Sequence, residues 1–569
     1  MSDTTTQGVG ERLGELGERY FATQHTYDPF NATLLGLGEF DHLAGDPGLE
    51  ASEQAAADFA AIGEAVAAID PGILDEKDAI DHGVLTALVR GAQQDAEHSL
   101  WAANASAKSY VSRQGLIFQT VPAMTVTDGD SSQRYLERLA GIGRVLTALG
   151  DRYADEAGRG RIPTQLGVEH SIQQLEGYLD LGLENDVLLT AARAASNRET
   201  LERATRIVEH EIRPAMISLA ARLRNEFLPI GRPGHQAGIS FIPGGDDGYA
   251  ASVARHTTST LSPEEIHRIG LDELDELTSE WSRIGSTALG ESSFPVIAER
   301  MRADVSLRFE TSEQIVAVAQ GALDRANAVR GRYFPDYDIP DCVIEVINPI
   351  EAQHTALAYY RPPAVDGSRP GAHCLLATDP QTRFRYEYEA LAFHESVPGH
   401  HMQLALAQTL DIPRYRRYLD VEACSFNEGW GLYSEQLADE IGLYSDDVSR
   451  LGMLSFRALR ACRLVVDTGI HHFGWSRERA VDFMWNNTAT TREHVSNEVD
   501  RYIAWPGQAL AYMIGRREIL RLRDEAERVL GTHFSVVDFH RIVLGSGAVP
   551  LTVLADNVAR WHSSVARTN

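Results

Sequence analysis

Residues 198–228, RETLERATRIVEHEIRPAMISLAARLRNEFL, repeat apolar side chains at every third or fourth position. A strand cannot sustain such a face, because its side chains alternate at every second residue. The stretch SSQRYLERLAGIGRVLTALGDRYADEA (131–157) has the same spacing. These segments commit the first half of the chain to helix packing. Pro214 lies inside the longer one and predicts a kink, since proline donates no N–H and its ring clashes with the carbonyl four residues back. The Gly/Pro-rich stretch PIGRPGHQAGISFIPGGDDG (229–248) breaks the pattern. It predicts a division into a helical N-terminal region, 1–235, and a second region, 236–569, that carries the candidate site. Helices resume at LSPEEIHRIGLDELDEL, with Ser262 as N-cap and Pro263 at the first helical position. Thr311 and Gln314 are spaced as a capping box. Near residue 341 the texture changes. CVIEVINPI, TALAYYRPP and HCLLATDP are short, β-rich and bounded by Pro, Gly or Asp. They predict three strands of a small sheet at about 341–380. Helical spacing returns at RYEYEALAFHE and continues to the end. The expected fold class is mainly α: a large helical protein with a small β-sheet beside the segment described next.

That segment reads AFHESVPGHHMQ (392–403). A zinc peptidase helix of the HExxH kind places two histidines about 40° apart around the axis, one turn apart, with a glutamate beside the first. Here His394 and Glu395 supply the HE, but the next histidines are His400 and His401. In an unbroken helix His400 would sit about 120° from His394, and His401 would lie roughly 10 Å along the axis. Neither pair could chelate one ion. Pro398 lacks an N–H and clashes with the carbonyl of His394, and Gly399 allows backbone angles that other residues resist. The helix is therefore expected to loop out between Glu395 and His400. His400 then takes the place of the second histidine, and His401 points elsewhere. A second helical segment, CSFNEGWGLYSEQLADEIGLY, begins 30 residues after His394 and offers Glu428 and Glu435 on one face as candidate third ligands. Gly429 and Gly431 beside Glu428 permit close backbone approach.

Together HESVPGHHMQ, NEGWGLYSEQL, DTGIHHFGWSRERA, EVDRYIAWPGQALAYMIGR and FHRIVLGSGAVPL resemble the bacterial family catalogued as domain of unknown function 885. The resemblance covers most of the chain and is strongest from about 370 to 555. The family in turn resembles helical zinc peptidases with HExxH and a glutamate as third ligand. That resemblance implies His394, His400 and Glu428 as ligands of one Zn2+ per chain and Glu395 as general base.

Amide hydrolysis also needs a donor for the oxyanion. Tyr512, His471 and Tyr502 are the candidates. Arg501 and Arg516 could clamp a substrate carboxylate. Glu264 and His267 form a lone Glu-x-x-His pair, more simply read as a helix start. The HCLLATDP strand could take an extended peptide along its edge. The function expected is zinc-dependent hydrolysis, as a metallopeptidase acting through metal-activated water. The alternatives are a hydrolase of a non-peptide amide at the same centre, or a non-catalytic helical binding protein.

Composition limits the partners and the compartment. A net charge of −29 disfavours nucleic acid and anionic membrane surfaces, so the expected partner is a peptide or small amide substrate. No stretch approaches the ~20 apolar residues of a membrane span. The N-terminus lacks a basic region followed by an apolar run, so no secretory signal is expected. Cys342, Cys374, Cys424 and Cys462 are far apart and show no CxxC, which predicts a reducing, cytoplasmic setting.

Overall fold

The computed structural model describes residues 2–107, 111–195, 197–347, 357–363 and 369–568. Helices dominate it, as their sequence spacing requires. The helix Gly129–Gly158 starts on a reciprocal cap. Asp128 accepts from the Ser131 N–H at 2.7 Å, and Ser131 Oγ accepts from the Asp128 N–H at 3.0 Å. Tyr135, Leu139, Ile142, Leu146 and Leu149, spaced by four and three, form its buried face. Burying each such aliphatic side chain contributes about 1.5–3 kcal/mol. The stretch after Asn197 is helical throughout. A widened, π-type turn, Val208–Ile212, stands just before the helix Arg213–Arg222, where Pro214 cannot donate an N–H. Ser262 and Glu265 complete the cap of the helix Pro263–Ala288, with Pro263 in its first turn. At Thr311 only half of the expected box forms. Thr311 accepts from the Gln314 N–H, while the Gln314 side chain reaches the Glu310 N–H instead.

The sheet has three strands, β1 (Cys342–Val346), β2 (Ala358–Arg361) and β3 (Gly371–Leu375), in the order β1-β3-β2. β1 runs parallel to β3 and β2 antiparallel to it. This corrects the expectation that HCLLATDP offers an edge. β3 has ladder partners on both sides, so its N–H and C=O groups are already used. The outer edge of β2 has no partner strand among the described residues. The expected strands also reached into 348–350 and 355–356, which lie outside the described residues.

Six helices carry or support the site: α1 (Tyr388–Glu395), α2 (His400–Thr409), α3 (Cys424–Glu440), α4 (Asp447–His471), α5 (Arg492–Ala504) and α6 (Ala511–Leu530). α3 and α6 cross at Gly429 and Gly515. A Cβ at Gly429 would stand 2.5 Å from the Gly515 carbonyl carbon, so any larger residue would push the helices apart. The largest apolar cluster joins residues from Leu13 to Ala103 with residues from Ile239 to Val558, so the first hundred residues pack with the C-terminal part. A second cluster gathers residues between Ala105 and Phe227, together with Phe30. The second cluster ends at Phe227, and the chain rejoins the first at Ile239. Among the described residues no helix is long and apolar enough to cross a membrane.

Candidate metal centre

α1 ends at Glu395, and α2 begins at His400. The loop between them is the interruption that Pro398 and Gly399 predict. Trp430 on α3 donates its indole N–H to the Pro398 carbonyl at 2.9 Å, tying that loop to the helix that bears Glu428. His394 thus lies in the last turn of one helix, His400 at the start of the next and Glu428 near the start of a third. One ligand atom from each lies within 4.8 Å of the others, and among the described residues this is the only such group. Glu428 Oε2 is 3.3 Å from His394 Nε2 and 3.6 Å from His400 Nε2.

A tetrahedral zinc with bonds of ~2.0–2.1 Å spans ligand–ligand edges of ~3.3–3.4 Å. The two separations from Glu428 lie at or just above those edges, and the His394–His400 pair lies within 4.8 Å. Glu428 Oε2 is also sealed from solvent and has no hydrogen-bond donor in good geometry. A buried carboxylate oxygen without a donor, facing two imidazole nitrogens, suits a cation. Two imidazoles and one carboxylate form the donor set of a catalytic zinc site with one position left open.

The neighbours of the trio fix its orientation. His394 Nδ1 donates to Glu435 Oε1 at 2.8 Å, which turns Nε2 toward the trio. Of the two glutamates on the α3 face, Glu428 stands at the centre and Glu435 behind His394. Burial alone would lower the pKa of His394, but Glu428 and Glu435 raise it to about 9. The His394 ring lies flat on the backbone of α3, where a Cβ at Gly431 would stand 2.5 Å from it. His401 points away. Its Nε2 donates to the Pro340 carbonyl at 2.8 Å, and its Nδ1 accepts from Tyr360 at 3.0 Å. Burial lowers its pKa to about 4, so the ring is neutral.

The trio opens onto a cavity of about 1640 Å³. Glu395 lines it and is buried, and burial raises its pKa against the pull of His394 and His400. Tyr512 lines it too, from the first turn of α6, with the Arg463 guanidinium 4.0 Å above its ring. Burial and the nearby Glu428 charge raise the Tyr512 pKa, which keeps the hydroxyl protonated. Arg501 lines the cavity and is paired with Glu498 at 3.1 Å.

Three expected residues lie elsewhere. His471 is fully buried at the end of α4, where Nδ1 accepts from the Ile239 N–H and Nε2 donates to the Tyr502 carbonyl. Both of its nitrogens serve backbone groups, and the residue does not line the cavity. Tyr502 is also fully buried, donates to Glu498 and accepts from Arg463. Arg516 is buried between α6 and its neighbours, bonded to Gln436 and 3.6 Å from Glu273, so it holds helices together. Glu264 bonds His472, and His267 bonds Thr468, which leaves them unconnected as a ligand pair.

The sequence reading passed over Arg460, Arg463, His494 and Tyr360, all of which line the cavity. A signal existed for some of them. Arg460 and Arg463 are three apart on α4, and His494, Glu498 and Arg501 follow at four and three on α5, so each set shares a helix face.

No curated protein matches the sequence. Among solved structures, the putative lipoprotein from Colwellia psychrerythraea superposes with a TM-score of 0.88 at 26% identity, covering 98% of this chain and 99% of that one. A putative lipoprotein of unknown function from Shewanella oneidensis gives 0.74 at 16% identity, covering 96% and 99%, and shares the fold. The family described as "Bacterial protein of unknown function (DUF885)" matches residues 29–558, so the chain belongs to that family.

Proposed function

We propose that the protein is a zinc-dependent hydrolase that cleaves peptide bonds. The observation that supports this most is the convergence of His394, His400 and Glu428 on one point at the wall of a large cavity, with Glu395 beside them. Zinc held there supplies a Lewis acid that acidifies water and polarises a carbonyl. Glu395 takes a proton from the attacking water. The new C–O bond forms, the C–N bond breaks, and Glu395 passes the proton to the leaving amine. Tyr512 donates its O–H to the oxygen on which charge develops. β2 lines the same cavity, so an extended chain bound there would run beside the sheet. Pockets for drug-sized ligands are ~300–1,000 Å³, so the larger volume here favours a peptide over a small amide.

A digest of a peptide library, with and without chelator, tests the reading. Cleavage that stops with chelator and is lost in Glu395→Gln supports it. A zinc-loaded protein that leaves every peptide intact overturns it. For the compartment we propose the cytoplasm, on four cysteines that form no disulfide with one another. The two solved relatives are described as putative lipoproteins, and recovery of this protein with the membrane fraction would refute the cytoplasmic placement.

A further inference from the structure

α4 and α5 together build a basic wall in the cavity from Arg460, Arg463 and Arg501. Arg460 is 5% exposed and Arg463 6% exposed. Within ion-pair distance these three guanidiniums have two carboxylates among the described residues. Glu435 lies 3.6 Å from Arg460, and Glu498 lies 2.7 Å from Arg463 and 3.1 Å from Arg501. Both carboxylates have other duties, since Glu435 accepts from His394 and Glu498 from Tyr502. At that distance the wall carries one more positive charge than negative, with Glu387 and Glu395 farther from Arg460. Nε and Nη1 of Arg460 and Nη1 of Arg463 have no hydrogen-bond partner. Desolvated guanidinium donors without acceptors are costly. Those three nitrogens are sealed from solvent, while the three arginines as residues line the cavity that holds the metal trio, and Arg460 is linked to His394 through Glu435.

We infer that this wall binds the carboxylate of the substrate, so that the peptides cleaved are those with a free C-terminal carboxylate close to the scissile bond. The inference rests on the hydrolase reading and narrows its substrate class. A planar guanidinium pairs a two-oxygen anion through parallel N–H bonds, which lysine could not reproduce. A carboxylate arriving there would offset the excess positive charge, and a turn of the Arg460 and Arg463 side chains toward it would give their unused donors acceptors. Tyr512, stacked under Arg463, would then face the carbonyl of the bond next to the bound terminus.

Binding tests this without turnover. Calorimetry on the purified full-length protein would compare N-acetyl-leucyl-leucine with its C-terminal amide. The acid should bind at least about tenfold tighter. The preference should shrink toward parity in Arg463→Gln and Arg501→Gln, with Arg463→Lys keeping part of it. Equal binding of acid and amide by the native protein overturns the inference, whether or not any variant folds. So does an acid preference that survives both glutamine variants, because the carboxylate would then be sitting on the metal trio. Parallel hydrolysis assays separate this from the parent reading. Acid preference without cleavage of any peptide sinks the hydrolase and leaves the subsite. Equal kcat/KM on free and amidated peptides sinks the subsite and leaves the hydrolase.

Discussion

Replacing Glu435 should weaken zinc binding although Glu435 lies outside the three converging side chains. It accepts from His394 Nδ1 at 2.8 Å and so fixes the ring orientation that turns Nε2 toward Glu428 and His400. Removing a partner of this kind costs ~10–100-fold in metal affinity, or about 1.4–2.7 kcal/mol. The two available substitutions divide that range. Glu435→Gln keeps an oxygen acceptor but loses the charge, which is worth about half of a charge-assisted bond, so a loss near tenfold is expected. Glu435→Ala removes the acceptor, frees the ring to rotate and strips Arg460 of its carboxylate, so the loss should approach 100-fold. Competition titration against a fluorescent zinc chelator at neutral pH measures both, with thermal unfolding of the metal-free forms as the control for fold. Native zinc affinity in a folded Glu435→Ala protein would refute the reasoning, because His394 would then need no partner to face the metal.

The native protein should purify with about one zinc per chain by elemental analysis, as a single three-ligand site requires. His394→Ala and Glu428→Ala should lose metal and turnover together, while Glu395→Gln keeps most of its metal and loses turnover; equal metal loss in all three would make Glu395 a ligand. By isothermal titration His400→Ala should lose zinc affinity and His401→Ala should keep it. His401→Ala should instead cost stability, about 0.5–1.5 kcal/mol for each of the hydrogen bonds lost to Tyr360 and Pro340, since water reaches both groups. Gly431→Ala would put a methyl group 2.5 Å from the His394 ring, so chemical denaturation should show a loss of about 1–3 kcal/mol, together with weaker zinc binding.

What could be read from the residues depended on how far each signal reached along the chain. Helix starts were legible because caps are local: Ser262 caps its helix as read, and the box it closes with Glu265 spans only four residues. The loop at Pro398 was legible for the same reason, since the clash falls on the carbonyl four residues back. Strand order was not, because β3 takes the centre of the sheet through pairings that no short segment encodes. The roles of His471 and Tyr502 were hidden in a similar way. Each looked like a polar group near the right helices. Yet His471 answers to backbone groups 31 and 232 residues away in sequence, and the hydroxyl of Tyr502 is held between Glu498 and Arg463.

The arginines show a different kind of concealment. Of the 52 basic residues only Lys77 and Lys108 are lysines, so arginine type carries almost no information here. Burial separates what composition blends. Arg516 is buried and turned to Glu273 and Gln436, and a helix junction uses its charge. Arg460 is buried to the same degree but has two donor nitrogens unused and faces the cavity. Such donors are costly to leave desolvated. A carboxylate ligand would offset that cost, and the only carboxylate within ion-pair reach of Arg460 among the described residues is Glu435, whose bond to His394 places the basic wall and the metal trio in one site.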